Sequence, residues 1–220
     1  MRVMALRYHG RVGQSVMMLQ DAGGGRYLDI GCGEGWALDA ASVAGIGFAV
    51  GIDTDEAALK KIKNNSRNIL LASALQLPFK SQAFDTVSAW DVIEHLPEGQ
   101  EWRMFSEIAS CLHSKGIFLL SVPCNNVMSN TLDPAWWIGH RHYTKSDIYK
   151  MMQSGNFQII RFFIRGGIID AIGTIIYYMN KWFFRNIESV NTMLDMARDF
   201  DYAQGQGFTT LFGMIKVNNT

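Results

Sequence analysis

Gly31, Gly33 and Gly35 stand at alternate positions directly after Tyr27-Leu28-Asp29-Ile30, a spacing suited to holding a ligand with backbone groups. Glycine has no Cβ, so the chain can turn sharply there and come close to a bound molecule. Leu28 to Ile30 reads as the end of a buried strand, and Trp36-Ala37-Leu38-Asp39-Ala40-Ala41 as the start of a helix. The loop between them, with Cys32 inside it, therefore brings free N–H groups and a helix N-terminus to one spot. A second strand, Phe48 to Asp53, ends in an acid about twenty residues past the loop, where a carboxylate can accept both hydroxyls of a ribose. These groups predict a nucleotide-like ligand. The dinucleotide spacing G-x-G-x-x-G needs glycine at position 36, and Trp36 occupies it, so a pyrophosphate cradle is not expected. Farther on, Glu94 and His95 are suited to substrate contact or proton removal, and His140 and His142 offer further imidazoles of suitable basicity.

Positioning these groups requires an alternation of strands and helices. Residues 1–22, with Arg7, His9, Arg11 and Gln14, read as a leading helix stopped by Gly23-Gly24-Gly25. A helix over 55–66, capped by Thr54 so that Asp53 stays free, carries Lys60, Lys61 and Lys63 on its solvated side and ends at Asn64-Asn65. Strands follow at Ile69 to Leu71, Phe84 to Trp90, Ile117 to Pro123, Phe157 to Ile164 and within Gly207 to Val217, the last a hairpin partner. Helices are expected over 100–113 and 145–154, the second closed by Gly155. The span 124–143 shows no period and is dense in unusual groups, among them Trp136, Trp137, His140, Arg141 and His142, as substrate loops and lids often are.

The composition is that of a globular enzyme: of 220 residues, 48% are hydrophobic and 18% charged. Twenty basic residues balance twenty acidic ones, so no global field attracts nucleic acid. Cys32, Cys111 and Cys124 lie far apart without a C-x-x-C pair, which points to a reducing compartment, and no secretion signal is read at the N-terminus. A cytoplasmic location is expected.

The run Leu28-Asp29-Ile30-Gly31-Cys32-Gly33-Glu34-Gly35 resembles motif I of the class I S-adenosylmethionine-dependent methyltransferases, in the manner of their ubiquinone-biosynthesis-like members. Ala74-Leu75-Gln76-Leu77-Pro78-Phe79, Phe84-Asp85-Thr86-Val87 and Glu94-His95-Leu96 extend the resemblance over roughly residues 25 to 164 plus the last strand. It implies an α/β fold, a doubly wound, Rossmann-like seven-stranded sheet whose last strand is antiparallel, in a single domain over residues 1–220. It also implies S-adenosylmethionine as cofactor. Gly31, Gly33 and Gly35 would lie against its methionine part, Asp29 would support the loop or reach the amino group, and Asp53 would hold the ribose. Asp91 and Thr54 fall within the same cofactor set. Ser73 stands where the family has an adenine-binding aspartate, a departure that leaves this contact to its hydroxyl or to the backbone of Ala74. Glu94, His95 and His142 are the expected catalytic positions. The Asp91-x-x-Glu94-His95 set also resembles a Glu-x-x-Glu-His metal set of some quinone-pathway and small-RNA methyltransferases; no metal is assigned to it, because Glu-His-Leu is common in metal-free members too.

About forty residues, roughly 165–205, exceed the minimal fold. Ile168 to Met179 is strongly apolar, with Lys181, Trp182, Phe183, Phe184 and Arg185 following. Asp170 and the glycines make a membrane span unfavourable, leaving a helix pair over the cleft or an interfacial helix with peripheral membrane contact. Either arrangement is expected to put an apolar wall near the site. The predicted activity is methyl transfer to a small or lipid-like acceptor, O-directed. A cofactor-binding protein without turnover and a metal-assisted RNA methyltransferase are the alternatives.

Overall fold

The computed structural model describes residues 8–62, 68–153, 156–183 and 188–217, with 188–192 described by backbone alone. Arg7, Lys63, the Asn64-Asn65 turn, the Gly155 stop, Phe184 and Arg185 lie outside the described residues. The strands β1 (Arg26–Ile30), β2 (Phe48–Asp53), β3 (Asn68–Leu71), β4 (Phe84–Trp90), β5 (Leu112–Pro123), β6 (Phe157–Arg165) and β7 (Thr210–Val217) form one sheet in the order β3-β2-β1-β4-β5-β7-β6. The first five are parallel to one another, and β7 runs antiparallel between β5 and β6. Strand order reverses between β1 and β4, and the crevice at the carboxyl ends beside that switch is where open sheets of this kind bind ligands.

The helices are α1 (Gly10–Ala22), α2 (Trp36–Val43), α3 (Glu56–Lys60), α4 (Glu101–Cys111), α5 (Val127–Leu132), α6 (Pro134–Trp137), α7 (Lys145–Met152), α8 (Ile168–Phe183) and α9 (Glu188–Ala203). Side chains alternate across the sheet with the strand period of two. On β5, Phe118, Leu120 and Val122 pack with Met104, Phe105 and Ile108 of α4 and Ile148 of α7. Leu119 points the other way, among Met18 and Leu19 of α1, Ala37 and Ala40 of α2, and Tyr202 of α9. The close approach of α2 to the sheet is met from the strand side: a Cβ at Gly51 would lie 2.7 Å from Cys32 Sγ and 2.8 Å from Leu38 Cδ1. Trp36 is thus accommodated where a dinucleotide fold has its third glycine.

Several local readings change. α4 stops at Cys111 and β5 begins at Leu112 instead of Ile117, because Leu112 already pairs with Phe84 before the register shifts to Thr86 with Ile117. The aperiodic span 124–143 contains α5 and α6, each started by a side-chain cap: Asn126 accepts from Ser129 N, and Asp133 from Ala135 N just ahead of Pro134. Thr144 opens α7 with a reciprocal capping box to Asp147. The apolar segment after β6 forms the pair α8 and α9. Asp201 of α9 accepts from Gly167 N and Asp170 N, satisfying free amides at the start of α8. Asp199 of α9 does the same for α1, accepting from Gly10 N at 2.6 Å and pairing with His9 Nδ1 at 2.5 Å. Among the described residues no helix is long and apolar enough to cross a membrane.

Candidate active site

The glycine loop bends through three left-handed residues, Gly31, Gly33 and Gly35, with φ of +68°, +50° and +85°. Their surroundings differ. A Cβ at Gly31 would meet Val92 Cγ2 at 2.5 Å, so this glycine lets the β4 loop press against the β1 loop. At Gly33 nothing lies within 4 Å of such a Cβ, so the backbone there faces open space. Cys32 is buried beneath, its amide donating to Ile52 O at 2.9 Å and its thiol pushed up to about 12, first by burial and then by Asp29 and Asp53. Asp29 supports the loop from within the sheet. One carboxylate oxygen accepts from Ser88 Oγ at 2.6 Å and Tyr27 OH at 3.3 Å, and burial pushes its carboxyl up to about 7.

Asp53 binds the two βα loops together. Its Oδ2 accepts from Gly33 N and its Oδ1 from Asp55 N, both at 2.8 Å. Each oxygen keeps a further lone pair, so the carboxylate remains able to receive hydroxyls. Thr54 does not cap the next helix. Asp55 is the N-cap of α3, accepting from Ala57 N and Ala58 N, because a carboxylate at the start of α3 satisfies two amides and the positive helix end together. Thr54 is left exposed beside Asp53. Ser73 and the buried Ala74 lie in the turn after β3, which is joined to β2 by Ala72 N donating to Asp53 O. The Ser73 hydroxyl accepts from Leu75 N at 3.2 Å, and so it shapes that turn.

At the end of β4 the chain takes a rare turn. Asp91, a non-glycine residue, has φ of +53°, a conformation that costs energy and is held by its contacts. Its Oδ1 accepts from Ser121 Oγ at 2.9 Å, and its Oδ2 pairs with Arg11 of α1 at 2.7 Å. Beyond it a single 3-10 turn (Ile93–His95) presents Glu94 and His95 to a cavity of about 430 Å3. Asp91, Glu94 and His95 do not gather as a metal-holding group; among the described residues no such group of three occurs.

Glu94 is 6% exposed, and among the described residues its Oε2 has no hydrogen-bond partner. Burial, and then the Asp91 charge, hold its carboxyl well above the usual range, against the pull of Arg11 and Arg141. His95 is shifted the other way: burial, and then His140, hold its imidazole below the usual range. The two rings meet edge to face, 4.7 Å between centroids. Burial thus favours the neutral form of both groups, a carboxyl and an imidazole side by side.

The two loop histidines separate clearly. His140 lines the cavity, whereas the His142 ring is buried, with Nδ1 at 2.9 Å from Asn130 Oδ1 and Nε2 at 3.1 Å from Asp133 Oδ2. His142 thus stitches α5 to α6 and has no free ring nitrogen for a substrate. Burial opposes the charge of Asp133, but the His142 and Ala135 donors outweigh it and keep its carboxyl below the usual range.

The expected apolar wall is not what α8 and α9 present to the cavity. Asp170, Thr174, Tyr177, Tyr178 and Arg198 face it, with Arg198 Nε 3.2 Å from Asp170 Oδ1 and Arg198 Nη1 2.8 Å from Asp195 Oδ1. Asp170 also receives Tyr202 OH and Thr209 Oγ1. These contributors, together with Arg11, were missed at the level of sequence. Asp170 left a signal, an acid within an apolar run; Arg11 left none, since its partner is far along the chain.

A methyltransferase-domain family pattern matches residues 7–161, well over half of the chain. The chain belongs to this methyltransferase family. Solved structures carry the fold over nearly the full length. The [4+2]-cyclase SpnF is 16% identical with a TM-score of 0.69, covering 97% of this chain and 88% of that one. A SAM-dependent methyltransferase from Archaeoglobus fulgidus is 17% identical with a TM-score of 0.64, covering 94% and 92%. An S-adenosylmethionine-dependent methyltransferase from Mesorhizobium loti is 16% identical with a TM-score of 0.62, covering 92% and 95%. No curated protein sequence matches the chain. The methyltransferase fold, with its seven-stranded sheet and antiparallel β7, is thus shown by topology and by these likenesses together.

Proposed function

We propose that this methyltransferase carries a methyl group from S-adenosylmethionine to a hydroxyl oxygen of a small or lipid-like acceptor whose polar end enters the cavity. The observation that carries the reading is Glu94, buried in the cavity wall with an unpartnered carboxyl oxygen, next to a neutral His95 at the carboxyl end of β4. The open backbone at Gly33 and the Asp53 carboxylate across from it fit the cofactor, with Gly31 and Gly35 shaping the loop and Asp29 supporting it. Ser73 and Ala74 would border the base. Bound there, S-adenosylmethionine supplies a methyl group already activated by its sulfonium charge.

The protein's own part is alignment and one proton. His95, unprotonated at neutral pH, takes the hydroxyl proton at a free ring nitrogen. Glu94, whose neutral form burial favours, presents its buried Oε2 to a second polar group of the acceptor and so fixes its orientation. The polar faces of α8 and α9 favour a polar end over a bare hydrocarbon in the cavity. The three cysteines are free and buried, which supports a reducing, cytoplasmic setting.

Calorimetric titration with S-adenosylmethionine, beside NADH, tests the cofactor, and a panel of hydroxyl-bearing acceptors with labelled methyl tests the transfer. Micromolar binding of S-adenosylmethionine, no binding of NADH and loss of binding in Asp53→Ala are expected, with labelling that does not depend on magnesium. A second reading, cofactor binding without methyl transfer, draws support from the SpnF likeness, since that protein is a cyclase. Tight binding with no labelling of any acceptor would favour it. Magnesium-dependent labelling of RNA would instead point to the metal-assisted alternative, which the Arg11 and Ser121 contacts of Asp91 disfavour.

A further inference from the structure

Helix α8 is amphipathic in the reverse sense to a helix packed on a core. Its polar groups Asp170, Thr174 and Tyr177 face the cavity, while Ile168, Ile172, Ile176, Met179, Trp182 and Phe183 are exposed. Their spacing of three and four residues makes one outward stripe along the helix. Ordinary packing buries such a stripe. The short helices that pack against α8 continue the pattern: Val127 and Met128 of α5 and Trp137 of α6 are exposed, as is Ile138 just after it, with Trp137 at 69% and Phe183 at 72%. Across α5, α6 and α8, Lys181 is the one exposed charged side chain, and it sits beside the exposed Trp182 and Phe183. The same three helices wall the acceptor cavity through Leu132, Ala135, Ala171 and Tyr178.

We infer that this face docks on a lipid bilayer surface containing anionic headgroups. The apolar stripe enters the boundary between headgroups and acyl chains, the tryptophans sit at that level, and Lys181 meets the negative headgroups. Docking would bring the cavity wall to the headgroup layer, where an amphiphilic acceptor can put its polar end into the cavity and leave its apolar part in the membrane. This last point rests on the acceptor reading proposed above; the docking itself does not. A second copy of the chain is the competing occupant. Among the described residues α5, α6 and α8 expose one basic side chain and no acid, which favours an anionic surface over a second copy carrying the same charge.

The test is co-sedimentation of the full chain with extruded vesicles of phosphatidylcholine alone and of phosphatidylcholine mixed with phosphatidylglycerol. Binding to the mixed vesicles is expected, weaker on phosphatidylcholine alone. Lys181→Ala should weaken partitioning onto the mixed vesicles by roughly fivefold, the effect of one lysine near such a surface. Ile172→Asp with Trp137→Asp should abolish it. Both changes lie on exposed side chains, and S-adenosylmethionine titration with circular dichroism checks that each variant is folded. Failure of the wild type to sediment with either vesicle would overturn the inference. So would a dimer in velocity sedimentation that the same double variant dissolves. Vesicle binding by a protein that takes no S-adenosylmethionine would keep the docking and remove the acceptor reading, so the two fail separately.

Discussion

His95 and Glu94 adjoin one cavity, yet burial drives their proton equilibria apart, because it penalises a charged acid and a charged imidazole alike. His95→Gln is therefore expected to lower kcat by about 10²-fold, the usual worth of a positioned base. The wild-type rate should fall with acid at a pH below the ordinary histidine value, as the imidazole gains its proton, and that limb should vanish in the variant. Glu94→Gln resembles the neutral carboxyl and should retain most of kcat, whereas Glu94→Ala should raise KM; a pH–rate series on the three variants reads all of this. Asp29 gives a prediction of a different kind. Its folded carboxyl titrates at about 7, above its unfolded value, so its ionisation opposes folding. Below about pH 4 this cost is absent, and it grows until about pH 7, reaching on the order of 4 kcal/mol. Asp29→Asn, which still accepts from Ser88 and Tyr27, should lose this decline, seen as a stability difference from wild type that widens between those limits in urea unfolding at several pH values.

Among the elements, α5 and α6 depend on a single buried ring. His142 joins Asn130 to Asp133, and Asp133 in turn caps α6. His142→Gln should cost about 1–3 kcal/mol by leaving these groups poorly paired, while kcat for the folded enzyme stays near wild type. Thermal unfolding beside saturating kinetics separates that structural role from a catalytic one. Nothing in the sequence distinguishes His140 from His142; only the cap at Asp133 decides which ring turns inward. The same limit applies to Thr54 and Asp55, adjacent residues that both cap well. By contrast β1, the glycine loop, α2 and β2 ending at Asp53 were legible, because each follows from contiguous residues with strong local preferences. The facing of α8 was not. Its apolar content could be counted, but which side meets the cavity depends on Arg198 and Tyr202 of α9 and on Thr209, partners that lie far along the chain.

For the molecule as a whole, the fold class could be read from the order of short apolar runs and helices, whereas the Arg11–Asp91 pair and the polar cavity exist only once distant elements meet. The placement of β7 has a temporal side. Among the described residues β6 pairs with β7 alone, and β7 is made some forty-five residues later, with α8 and α9 in between. During vectorial synthesis β5 and β6 each wait with a hydrogen-bonding edge unsatisfied until β7 enters between them, and the cavity wall waits with them. Pulsed hydrogen exchange during refolding should therefore find β1, β2, β4 and β5 protected first, and β6 and β7 gaining protection together; protection of β6 ahead of β7 would contradict this order. The half proposed to hold the cofactor is thus expected to assemble before the half proposed to admit an acceptor, so that a nascent chain would hold the methyl donor before it has anywhere to spend it.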